Sequence, residues 1–150
     1  MTSPSTPGAA SGAMLPQEVF LSHSDRDRQF VTVITDMMRR HGIPIWYSRT
    51  NILGAQQWHD EIGAALHRCD WFVLVLSPHA VESIWVKREL SFSLQQNRFE
   101  YKIIPLLYQP CAYERLSWTL SLFQMIDFTQ TFEQGCRDLL RVWGLGYRSA

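Results

Sequence analysis

Short apolar runs alternate along this chain with longer stretches in which apolar side chains return every three or four positions. Val19-Phe20-Leu21 is the first run and predicts a strand. From Asp25 to Arg40, Phe30, Val33, Ile34, Met37 and Met38 recur at helical spacing with charges opposite, and Gly42 supplies the stop. Ile43 to Tyr47 reads as a second strand and Ser48 to Gln57 as a loop around Gly54. Trp58, Ile62, Ala65 and Leu66 then mark one face of a second helix. The run from Trp71 to Leu76 is unbroken, so this third strand is expected to be covered on both faces.

Ser83 to Gln96 predicts a third helix and Lys102 to Tyr108 a fourth strand. A short helix over Tyr113 to Leu122 and a thin strand over Gln124 to Phe128 follow. Phe132, Cys136, Leu139, Leu140 and Trp143 line a last helix that stops at Gly144. This β–α alternation predicts an α/β fold: a flavodoxin-like three-layer sandwich around a five-stranded parallel sheet in order 2-1-3-4-5. Pro44 suits an edge strand, whereas Pro105 falls in an internal one and demands a bulge or a missing ladder bond. Trp46, Trp58, Trp71, Trp118 and Trp143 fall on apolar stripes and are expected in the core.

A chain of 150 residues fits one domain. Residues 1–16, rich in Ser, Thr, Pro, Gly and Ala, read as a disordered tail without the basic and apolar regions of a secretory signal. The folded domain is expected over 17–144, with a tail over 145–150. Formal net charge is zero, which gives a generic grip on nucleic acid or anionic membrane no support. No apolar run reaches the roughly 18 residues of a membrane span. Cys69, Cys111 and Cys136 form no CxxC or Cys/His cluster, so a disulfide frame or zinc site is not expected, and a reducing cytoplasmic setting is.

The most informative feature is Trp85 with Glu89 four residues on, which places an indole and a carboxylate on one helix face. That helix follows strand three, and the assumed strand order opens a crevice between the carboxyl ends of strands one and three. Strand one ends in Ser22-His23-Ser24-Asp25 and strand three in Ser77-Pro78, so three segments converge there. A phosphoacceptor receiver would need an aspartate where Ser77 stands. A flavodoxin would need a Gly- and Thr-rich phosphate loop, where this chain has Asp25 and Asp27.

Taken in order, Val19 to Ser24, Tyr47 to Trp58 with its glycine, and Leu74 to Pro78 followed by Ser83-Ile84-Trp85 and Glu89-Leu90, resemble the bacterial form of the Toll/interleukin-1 receptor (TIR) domain family. The resemblance runs from about Glu18 to Trp143. Ser48 and Leu53 stand where the family commonly has Asp and Pro, which bears on partner contacts of the loop. TIR domains divide between signalling scaffolds and enzymes that cleave NAD, and the Trp85–Glu89 spacing is that of the enzymes.

The resemblance therefore implies NAD+ as substrate, with no cofactor or metal, and Glu89 as the essential carboxylate. Trp85, Ser83, Phe20, Ser22, His23, Ser24, Tyr47, Ser48, Arg49 and Ser77 are the expected substrate-binding residues. Several have a second reading: Ser83 as a helix N-cap, Ser22 and Ser77 as turn residues, His23 and Arg49 as solvated side chains, and Asp25 as a cap of the first helix. The products would be nicotinamide and ADP-ribose or a cyclised ADP-ribose. The family also implies self-association through the 48–57 loop, head to tail and so open to filaments. A role in anti-phage defence is implied too, with sensing supplied by a fused domain or a partner protein. The other outcome left open is a non-catalytic TIR–TIR adaptor.

Overall fold

The unbroken run Trp71–Leu76 forms the central strand, β3, and all six of its residues are buried. In this computed structural model residues 15–48 and 55–149 are described, the side chains of 55–58 excepted. Around β3 lie β1 (Val19–Ser22), β2 (Ile45–Tyr47), β4 (Ile103–Leu107) and β5 (Ile126–Asp127). All pairings are parallel, in the order β2-β1-β3-β4-β5. The helices are α1 (Arg28–Arg40), α2 (Ala55–Arg68), the single turn α3 (Pro78–Val81), α4 (Ile84–Leu94) and α5 (Phe132–Arg141).

Strand parity sorts the core into two layers. Val19, Leu21, Val73, Val75, Ile104 and Leu106 pack with Ile34 and Met38 of α1 and with Leu139 and Leu140 of α5. Phe20, Phe72, Leu74 and Leu76 face the other way, onto Ile62, Ala65 and Leu66 of α2 and Val86 and Leu90 of α4. Both helix stops expected at glycines are present. Gly42 and Gly144 have φ of 82° and 74°, and Ile43 and Leu145 donate back to Met38 and Leu140.

Pro105 is explained by strand parity. β4 stays in continuous register with β3 from Phe72↔Ile103 to Leu76↔Leu107, so there is no bulge. The Lys102 carbonyl faces β3 and the Leu107 carbonyl faces β5, which puts Pro105, of the same parity as Leu107, on the β5 side. β5 pairs only from Leu106 onward, so the missing N–H falls where no strand asks for it. Pro44 lies just before β2, at the sheet edge, and its carbonyl accepts from Val19.

Several boundaries differ from expectation. Asp25–Asp27 is a 3₁₀ turn rather than the first turn of α1. The buried stripe of α1 runs through Phe30, Val31, Ile34 and Met38, which rotates Val33 to solvent. The expected helix over Tyr113–Leu122 is two 3₁₀ pieces, Tyr113–Arg115 and Trp118–Leu122. There Leu116 and Leu120 take the inward positions and Trp118 is 70% exposed, so it is not a core residue. Trp71 and Trp143 are buried and meet edge to face, Trp46 is half-buried, and the side chain of Trp58 lies outside the described residues. β5 is only two residues long, and the 145–150 tail is docked as far as Arg148. Tyr147 stacks on His41, and the Arg148 N–H donates to His41 Nε2. Among the described residues no helix is long and apolar enough to cross a membrane.

One packing contact is exacting. A methyl group at Gly135, in the buried face of α5, would run into the ring of Phe128. Gly135→Ala is therefore expected to destabilise the fold by about 1–3 kcal/mol through overpacking, despite the better helix propensity of alanine. Urea unfolding would check this; an unchanged midpoint would mean that the Phe128 ring yields freely.

Candidate functional site

β1 and β3 end side by side, and the chain leaves each through a serine-rich turn. After β3, Ser77 caps α3 by accepting from the Ala80 N–H, and its hydroxyl donates to Asp27 Oδ2. This bond ties the β1–α1 turn to the β3–α3 junction, with both residues buried. Ser83 then caps α4, accepting from the Val86 N–H at 3.2 Å. The cap fixes where α4 begins, and with it the direction in which Trp85 and Glu89 project.

Glu89 is 6% exposed, in spite of its neighbours Lys87 and Arg88, which point to solvent. Its Oε1 accepts a 2.6 Å hydrogen bond from the Ser22 hydroxyl at the end of β1. Burial pushes the Glu89 carboxyl up to about 7, and the Ser22 bond pulls in the opposite direction by favouring the anion. Such a value suits a group that must hold charge near neutral pH while shielded from water.

Glu89, Trp85, Ser83, His23, Asp25, Ser48 and Leu21 line a cleft of about 250 Å³. His23 Nδ1 lies 2.9 Å from the Ser24 carbonyl, and its ring meets Tyr47 edge-on at 5.9 Å. Burial, as the largest influence, holds the His23 pKa below its ordinary value. Trp85 is half-buried, with the Arg88 guanidinium 5.3 Å from its ring centroid and the His59 ring edge-on at 6.0 Å.

Of the expected binding residues, the structure gathers His23, Ser48, Ser83 and Trp85 around Glu89, with Ser22 bonded to it and Tyr47 behind His23. It does not bring Phe20, Ser24 or Ser77 to the cleft. Phe20 is sandwiched between Trp46 and Phe72, Ser24 caps the 3₁₀ turn, and Ser77 is spent on Asp27. Arg49 and positions 49–54 of the expected loop lie outside the described residues, and α2 already begins at Ala55. Asp25 lines the cleft and pairs with Arg28 rather than capping α1. In the sequence Asp27 reads only as a loop carboxylate unfavourable to phosphate; its bond to Ser77, 50 positions away, is beyond any spacing rule. Among the described residues no group of three or more His, Cys, Asp or Glu side chains could hold a metal ion.

A larger groove, about 670 Å³, opens at the amino ends of β3, β4 and β5, between residues such as Trp71, Phe99, Ile103, Leu122 and Phe123. The acid in its lining, Glu100, is exposed, and the groove has nothing like the buried pair of Ser22 and Glu89.

The Ser22 bond makes a specific expectation. Charged hydrogen bonds contribute about 1.5–3 kcal/mol, so Ser22→Ala should move the titration of Glu89 upward by about one pH unit or more. A carboxyl titration followed by NMR would show it. An unmoved midpoint would mean that Ser22 does not set the charge state of Glu89.

A relative and two solved structures extend the comparison. A 2′ cyclic ADP-D-ribose synthase of Bacteroides thetaiotaomicron, BtTIR, is 22% identical over 107 residues, which is 70% of this chain and 37% of that protein. The chain thus spans little more than a third of that relative. The TIR domain of the Toll-related receptor TRR-2 of Hydra magnipapillata superposes with a TM-score of 0.68 at 20% identity, over 83% of this chain and 96% of its own. The TIR domains of the activated Roq1 resistosome, which recognises the pathogen effector XopQ, give 0.62 at 16% identity, over 83% and 97%. These likenesses carry the fold. The family model of the TIR domain matches residues 19–140, most of the described chain, and with the sheet order, the α4 cap and the Trp85–Glu89 pair in place the chain belongs to the TIR domain family.

Proposed function

We propose that this domain cleaves NAD+ between nicotinamide and ribose. The observation that supports it most is Glu89, a carboxylate buried where β1 and β3 end and held by Ser22. The described lining of its cleft carries two acids, Asp25 and Glu89, and no Lys or Arg. That balance suits the cationic nicotinamide end of the dinucleotide and would repel its phosphates. The cleft is also smaller than the roughly 300–1,000 Å³ typical of whole-ligand pockets, in keeping with one end of NAD+ entering and the ADP part lying outside.

The chemistry needs a single carboxylate. Ordinary glycosidases use two because a poor leaving group must be protonated. Nicotinamide leaves as a neutral pyridine, so the demand that remains is an anion beside the ribose as its anomeric carbon turns cationic. Glu89 fills that role, Trp85 supplies an aromatic wall where cation–π attraction to the pyridinium is available, and Ser83 lies within the same lining. The product is ADP-ribose or a cyclised form; BtTIR is a 2′ cyclic ADP-D-ribose synthase. Activation by self-assembly, sensing by a further domain or partner, a cytoplasmic setting and a part in anti-phage defence belong to the same reading. The free state of Cys69, Cys111 and Cys136 is compatible with that setting.

The test is NAD+ as sole substrate, with nicotinamide and ribosyl products separated by chromatography over a wide range of protein concentration. Specific activity is expected to climb steeply on crowding. A rate strictly proportional to protein would remove the assembly element. No nicotinamide at any concentration would remove the enzyme and leave the adaptor role.

A further inference from the structure

We propose that His23 is the base that takes the proton from the oxygen nucleophile arriving at the ribose, a role that rests on the NAD+-cleaving reading and adds a second working residue to it. Three observations point there. Nδ1 sits 2.9 Å from the Ser24 carbonyl, an oxygen that can only accept, so Nδ1 carries the hydrogen and Nε2 presents a lone pair. Nε2 is buried and has no hydrogen-bond partner among the described residues. His23 is one of the residues lining the cleft that holds Glu89.

A buried acceptor without a donor is costly and calls for one from outside the fold. The reaction brings such a donor. Nucleophiles that complete the cleavage, water or a hydroxyl of the substrate itself, both carry an O–H. Glu89 is poorly placed to serve as this base as well, since one of its oxygens is held by Ser22 and its charge is needed beside the cation. Burial holds the imidazole pKa below its ordinary value, against the smaller opposing pulls of the Ser24 carbonyl bond and then of Asp25 and Asp27, which favours the neutral ring and its free lone pair at neutral pH.

The step balances without any co-reactant. The bond from the anomeric carbon to the pyridine nitrogen breaks, and its electron pair leaves on neutral nicotinamide. The nucleophile's oxygen forms the new bond to that carbon. Its proton passes to Nε2, and the imidazolium returns it to solvent. With water the product is ADP-ribose; with a hydroxyl of the same molecule it is cyclic.

The experiment compares wild type with His23→Ala and His23→Gln on NAD+, with and without sodium azide. Azide is a nucleophile with no proton to lose. Both variants are expected to release nicotinamide about 10²-fold more slowly in water, the usual contribution of a positioned base. Azide should restore the rate and yield 1-azido-ADP-ribose, while adding little to wild type. Thermal unfolding checks that each variant folds. Undiminished release by a folded variant in water, or a slow variant that azide does not rescue, overturns the role of His23 while leaving the NAD+ reading standing. No nicotinamide from wild type overturns both.

Discussion

Glu89→Gln is expected to lower nicotinamide release by about 10²-fold to 10³-fold, the scale on which a preorganised group facing developing charge contributes. Glutamine keeps the shape of the side chain and can still accept from the Ser22 hydroxyl, so the fold should persist. What it lacks is the negative charge. The effect should therefore appear in kcat rather than in KM, because the anion matters most when the ribose becomes cationic. The same argument fixes the pH dependence. The ionised carboxylate is the working form, and its pKa lies at about 7 because the group is buried. Activity should rise with pH through that region and level off above it. The residual activity of Glu89→Gln should lose the limb near 7 and keep only the one at lower pH that neutral His23 requires. Ser22→Ala should carry the limb to higher pH. Initial rates of nicotinamide release from pH 5 to 9 would decide; a glutamine variant as fast as wild type would end the case for Glu89 as the charged group.

Much of this architecture was legible in the sequence because the physics behind it is local. The run from Trp71 to Leu76 has no polar residue to place outward, so it had to be a strand covered on both faces. The spacing of Trp85 and Glu89 put both on one helix face whatever the strand order. The failures are equally physical. Trp118 falls on an apolar stripe of an expected helix, but the stretch breaks into two 3₁₀ pieces, and the inward positions go to Leu116 and Leu120. Pro105 looked like a defect because strand parity cannot be read without knowing where the neighbouring strand begins. Phe20 and Ser77 belong to segments that reach the cleft, yet an alternating strand points Phe20 into the core and Asp27 claims the Ser77 hydroxyl. The Ser22–Glu89 bond joins residues 67 positions apart, and no spacing rule reaches that far.

The same substitution that removes the activity should make the protein more stable, and only on one side of neutrality. A carboxyl whose folded pKa is raised loses stability as pH climbs. Below the ordinary value of 4.5 it is protonated in both folded and unfolded states and costs nothing. Between that value and about 7 the unfolded chain ionises while the folded chain resists, so stability falls through this window and stays low above it. The separation corresponds to about 3 kcal/mol at pH 8. Glu89→Gln has no proton to lose and escapes this loss. It is expected to gain about 2–3 kcal/mol over wild type at pH 8, or roughly 6–9 °C in Tm for a chain of this size, and close to nothing at pH 4. Thermal unfolding of both proteins at the two pH values is the measurement. A glutamine variant no more stable than wild type at pH 8, or equally favoured at both, would mean that Glu89 is not a buried charge held against its own solvation. A positive result would identify the carboxylate as a site where stability is given up for function, since the uncompensated anion that weakens the fold is the one a cationic ribose would need.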